Sequence, residues 1–66
     1  MTKWISVNEQ LPEEWVEVIT YQQNPFGWII RIGIHIGHGK WREAERHEMM
    51  EMPITHWMPL PEPPKD

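Results

Sequence analysis

The run from Trp28 to Ile36 constrains this chain more than any other stretch: large apolar residues stand at 28, 30, 32, 34 and 36, with Arg31, Gly33 and His35 between them. Side chains alternate across a strand, so a period of two predicts a β-strand with Trp28, Ile30, Ile32, Ile34 and Ile36 on a buried face and Arg31, Gly33 and His35 on the other. A helix would scatter the same residues around its circumference. The isoleucines favour the same reading, because β-branched side chains suit a pleated surface and lose rotamer freedom in a helix.

The chain has 66 residues, enough for one domain. At that size folding buries only about 60% of the surface of the unfolded chain, and small folds usually add disulfides, a metal or a partner subunit. There is no cysteine, which removes disulfides and thiolate zinc sites. Five tryptophans are the remaining resource, each able to bury roughly 200 Å2. The net charge of −4 argues against nucleic acid as the main partner, since phosphates are met by clustered Lys and Arg. Lys40, Arg42 and Arg46 form the one basic cluster, diluted by Glu43 and Glu45. No apolar run approaches the ~20 residues of a membrane span, and Met1-Thr2-Lys3-Trp4 does not resemble a signal peptide. The expectation is a cytoplasmic protein without a membrane partner.

Along the chain, Trp4–Val7 reads as a short extended segment, and Leu11 before Pro12 as an extended residue able to plug the core. Residues 15–21 read as a second strand, with Val16, Val18 and Thr20 facing one way and Glu17, Ile19 and Tyr21 the other. Residues 22–27, with Asn-Pro and Phe-Gly pairs, join it to the central strand as an antiparallel hairpin. Gly37-His38-Gly39 suits a tight return into a short strand over residues 40–42. Residues 43–52 consist largely of helix formers but have neither a capping residue nor a clean apolar stripe, so a short helix and a methionine-containing loop both remain open. Ile54–Met58 has strand propensity again and can pair with an existing edge. Four prolines between Pro59 and Pro64 predict a polyproline tail.

Two stretches carry a resemblance: Trp4-Ile5-Ser6-Val7 with Leu11-Pro12-Glu13 near the start, and Thr55-His56-Trp57-Met58-Pro59-Leu60-Pro61-Glu62-Pro63-Pro64 near the end. They resemble the opening and close of the phage and prophage domain-of-unknown-function family DUF551, which bracket a variable middle containing glycine and tryptophan. Trp15 stands where such sequences often carry glycine. The resemblance implies a small accessory protein of a bacteriophage or prophage, and it brings no catalytic residues with it.

The candidate sites are few. His35, His38, His47 and His56 invite a metal reading, but the spacing is not that of a metal motif, and no metal or other cofactor is expected. Ser6, Thr20 and Thr55 lack a base in sequence, and no catalytic residue is assigned. Arg31, Gly33 and His35 alternate on one face, where two hydrogen-bonding side chains flank a position with no side chain. With Trp41, Arg42 and Trp57 they suit an anionic, nucleotide-like ligand, by charge-assisted hydrogen bonds and stacking. The plainer reading, which is preferred, has Trp57 or Trp4 packed over Gly33.

The expected fold is mainly β, an antiparallel meander of four or five short strands over residues 1–60 with at most one short helix near 43–51, α+β being the alternative. A proline-rich tail, 61–66, follows. The expected core holds Trp4, Val16, Val18, Trp28, Ile30, Ile32, Ile34, Trp41, Trp57 and Leu60. A homo-oligomer is expected, because so many large apolar groups on so short a chain favour burial against a copy of itself. The expected function is non-enzymatic binding of a host factor, either a protein or a small nucleotide-like signalling molecule sequestered to counter host defence. The alternative is a structural or protein-interaction module acting through a Trp-rich surface or the proline-rich tail.

Overall fold

The structure, a computed structural model, describes residues 3–50 and 53–61. Five strands, β1 (Ile5–Ser6), β2 (Glu17–Asn24), β3 (Gly27–Gly37), β4 (Lys40–Glu43) and β5 (Ile54–Pro59), form one sheet in the order β1-β5-β2-β3-β4. Every pairing is antiparallel. The mainly β expectation holds, and no helix occurs among the described residues. β2, β3 and β4 make the predicted meander. β5 is not an edge strand; it lies between β1 and β2, so the stretches near the two ends that carry the resemblance pair directly, Ile5 with Trp57 and Ser6 with His56.

The turns follow from local chemistry. Asn24 pairs with Gly27, so the connection predicted over 22–27 shortens to Pro25 and Phe26, with Asn24 Oδ1 accepting the Phe26 N–H at 2.8 Å. His38 and Gly39, at φ 54° and 72°, make the tight return in the left-handed conformation that matches the twist of the flanking strands. β2 begins at Glu17 rather than at residue 15, because Trp15 has φ 69° and cannot continue a strand. Its N–H donates to the His35 carbonyl at 2.9 Å.

Residues 43–50 form a return loop instead of a helix. Glu43 ends β4 and its carboxylate accepts the N–H groups of Glu45 and Arg46 at 3.1 and 2.9 Å. One helical turn closes, His47 N–H to the Glu43 carbonyl at 2.9 Å; His47 then adopts φ 58° and stops it. The chain comes back along β4, with Glu43 N–H bonded to the Glu48 carbonyl, Met50 N–H to the Trp41 carbonyl, and a bridge between Arg42 and Met49.

The sidedness of β3 is the reverse of the expectation. Gly33 and His35 are buried, whereas Trp28, Ile30 and Ile32 are 63%, 47% and 43% exposed. Register explains the reversal. His35 stands opposite Trp41 and Thr20 opposite Trp57, and cross-strand partners share a face, so both buried tryptophans lie on the odd side of β3. That side is covered by the loops before β2 and after β4. Its core is Val18, Trp41, Ile54 and Trp57, with Ile5, Val7 and Met50 packed against it. Of the expected core, Val18, Trp41 and Trp57 are buried; Ile34 and Leu60 are half-buried; Trp4, Val16, Trp28, Ile30 and Ile32 are exposed. Leu11 is also exposed, and the neighbouring Pro12 is buried in its place. Gly33 is capped by Met50, not by a tryptophan: a methyl group there would lie 3.1 Å from the Met50 sulfur. The tail expectation reaches only Leu60 and exposed Pro61; its remainder, 62–66, lies outside the described residues.

Candidate functional site

The five residues expected to bind a ligand are not gathered on one surface. His35, Trp41 and Trp57 are buried on the covered face, the His35 and Trp41 rings 5.0 Å apart. The Trp57 indole N–H donates to the Gln10 carbonyl at 2.8 Å, so its polar atom serves to hold down the covering loop. Arg31 belongs to the same face of β3 but lies where the cover has ended, and it is exposed. Arg42 stands opposite Ile34 and belongs to the other face.

Arg31 instead borders an open groove of about 450 Å3, lined on one side by Glu17, Ile30 and Ile32 and on the other by residues 43–46. Two arginines, Arg31 and Arg46, and three carboxylates, Glu17, Glu43 and Glu45, line it. The Glu43 carboxylate already holds two backbone N–H groups. The groove runs beside a free strand edge. β4 covers β3 only from Gly33 to Gly37, and the last contact on that side is the Ala44 N–H to the Ile32 carbonyl at 3.0 Å. The Ile32 backbone therefore points away from β2. In an antiparallel ladder this direction repeats every second residue, so the N–H and C=O groups of Ile30 and Trp28 also point outward, where no described strand pairs with them.

The even face of the sheet is open and apolar. Ring centroids of Tyr21 lie 5.8 Å from Trp4, 6.4 Å from Trp28 and 5.9 Å from His56, and cross-strand partners of Ile30 and Ile32 are Tyr21 and Ile19. Sequence reasoning missed this surface because it assigned Trp4, Trp28, Ile30 and Ile32 to the core. The signal that could have found it is the size of the apolar set: eleven consecutive strand residues supply more large side chains than one covered face of a five-stranded sheet can take.

Among the described residues no group of three or more His, Asp or Glu is placed to hold a metal ion. His38 and His47 sit exposed at turns, His35 is buried, and His56 accepts or donates a hydrogen bond with the Thr55 hydroxyl at 2.8 Å. That hydroxyl–imidazole contact joins sequence neighbours, and no carboxylate among the described residues orients the ring.

The family model for DUF551, a protein of unknown function, matches residues 3–65. An uncharacterized 7.8 kDa protein from the ral-gp17 intergenic region of Salmonella phage P22 is 30% identical over 66 residues, covering 97% of this chain and 98% of the phage protein. No solved structure matches.

Proposed function

Because the chain belongs to the DUF551 family of proteins of unknown function, we propose that it is a non-enzymatic phage or prophage accessory protein whose work is to bind a host protein, taking an extended segment of it along the free edge of β3. The observation that carries this reading is the direction of the Ile32 carbonyl, bonded to Ala44 N–H at 3.0 Å. It turns the backbone groups of Ile30 and Trp28 toward open space beside a groove. An unpaired edge is a template for an added strand, whose main-chain hydrogen bonds supply affinity while alternate side chains supply specificity. Arg31, Arg46 and Glu45 offer both signs of charge to such side chains. Sequestration of a small nucleotide-like anion would draw on the same two arginines. The carboxylates of Glu17 and Glu45 beside them lower the local positive potential, so the peptide reading stands ahead.

Photo-cross-linking in a bacterial lysate tests it. A photoreactive phenylalanine analogue replaces Phe26, which is 99% exposed at the end of the edge. The expected result is a cross-linked host segment that is lost with Ile30→Pro and retained with Ile30→Thr. Proline removes only an outward N–H, which an edge strand tolerates; threonine keeps it. A product that survives Ile30→Pro, or no product, contradicts the reading.

A further inference from the structure

The sheet has a second unfinished surface, distinct from its edge. A domain is normally built of at least two packed layers, and here loops cover the odd face of β3 while the even face is open from Trp28 to Ile32 and only half-covered at Ile34 and Arg42. Trp4, Tyr21, Trp28, Ile30 and Ile32 form its centre, with Ile34 and Arg42 toward one end. Complete cover would remove on the order of 600 Å2 per chain, at the top of what monomeric proteins expose in one patch.

The charges on this face select the occupant. Glu17 and Arg42 stand opposite Ile34 on its two sides, one on β2 and the other on β4, all three on the open face. No ion pair among the described residues engages either charge, and Arg42 Nε is buried without a hydrogen-bond partner there. A two-fold axis parallel to β3, between two facing sheets, exchanges the β2 and β4 sides. Ile34 then meets Ile34 of the other copy, and each Arg42 comes over the Glu17 of its counterpart. The same operation lays β3 over β3 in nearly the same direction, which is the aligned packing that twisted sheets adopt. A perpendicular two-fold through Ile34 would instead set Glu17 against Glu17.

From this self-complementarity we infer that the open face is the seat of a second copy of this chain, and that the functional unit is a symmetric two-layer pair with the isoleucine stripe of β3 inside. A closed two-fold contact of this kind is isologous and stops at two copies. The backbone edge of β3 stays at the side of the pair, although Glu17, Ile30 and Ile32 belong both to the face and to the groove beside that edge; the inference is tested on the purified chain without any other protein.

Sedimentation equilibrium from about 1 to 100 µM decides it, since association is read against concentration. The expected result is a dimer for the native chain and a monomer of unchanged far-ultraviolet circular dichroism for Ile32→Asp, because Ile32 is 43% exposed on the single chain. Glu17→Arg alone, which sets like charges over one another twice, is expected to weaken association at least about tenfold. The double variant Glu17→Arg with Arg42→Glu is expected to restore it. A native chain that stays monomeric throughout overturns the inference and leaves the face to a different occupant. A dimer that survives Ile32→Asp overturns it by moving the contact elsewhere.

Discussion

Trp15 holds φ 69° while its ring is 63% exposed. An L-residue in the left-handed region pays roughly 1–2 kcal/mol that glycine does not, and so exposed a ring returns little of it. The backbone N–H is what the position uses, donating to the His35 carbonyl. Trp15→Gly is therefore expected to raise unfolding free energy by about 0.5–1 kcal/mol, part of the relief being offset by the entropy of glycine. Trp15→Ala is expected to give no such gain. Urea melts of the two variants check this, and a glycine variant less stable than the native chain contradicts it. Only the resemblance signalled this position, since the sequence reads Trp15 as the first residue of a strand. His35 is a different case. Its ring is 4% exposed, and both ring nitrogens lack a hydrogen-bond partner among the described residues. It acts as a flat ring against Trp41, a role that reading histidine as polar conceals.

At the scale of elements, the return loop is fastened to β3 through the gap at Gly33. A methyl group there would come 3.1 Å from the Met50 sulfur and 3.1 Å from Thr20 Cγ2. Methionine can swing aside, but Thr20 is fully buried and its hydroxyl is held at 2.8 Å by the Arg31 carbonyl. Gly33→Ala is expected to cost about 1–3 kcal/mol by overpacking, and Met50→Ala in the same chain to cost less than the sum of the two single changes. Denaturant melts of the three variants measure the coupling; strict additivity would mean that Met50 does not cap Gly33. Strands, turns and the meander were legible because alternation, Asn-Pro and Gly-His-Gly are local signals. Sidedness was not. Which face of β3 is inside depends on where Trp41 and Trp57 fall in register with His35 and Thr20, and register is a property of pairs of strands. The choice left open over 43–52 is decided in the same way, as far as residue 50: Glu43 caps one turn, and pairing with β4 takes over.

For the whole molecule, one face of the sheet is covered by loops and the other leaves Trp4, Trp28, Ile30 and Ile32 exposed. The small core of Val18, Trp41, Ile54 and Trp57 leaves a 66-residue chain a thin margin of stability, which the proposed association would widen. The candidate site was legible only in part for the same reason. Arg31 was found because it interrupts an apolar run; the free edge beside it depends on β4 ending six residues short of β3, which no local pattern announces. The two proposals assign the backbone edge to an extended host segment and the face to a second copy, with Glu17, Ile30 and Ile32 bordering both.

The central claim is that the isoleucine face of β3 lies outside the single chain and inside the pair. Because the chain has no cysteine, single cysteines introduced at Ile32 and at Val18 report it directly through maleimide labelling as a function of protein concentration. The account predicts that Ile32→Cys labels fast in dilute solution and slows as concentration rises, while Val18→Cys is protected at every concentration. Rapid labelling at Val18 with protection of Ile32 in dilute solution would contradict it, restoring the face order that alternation alone suggests.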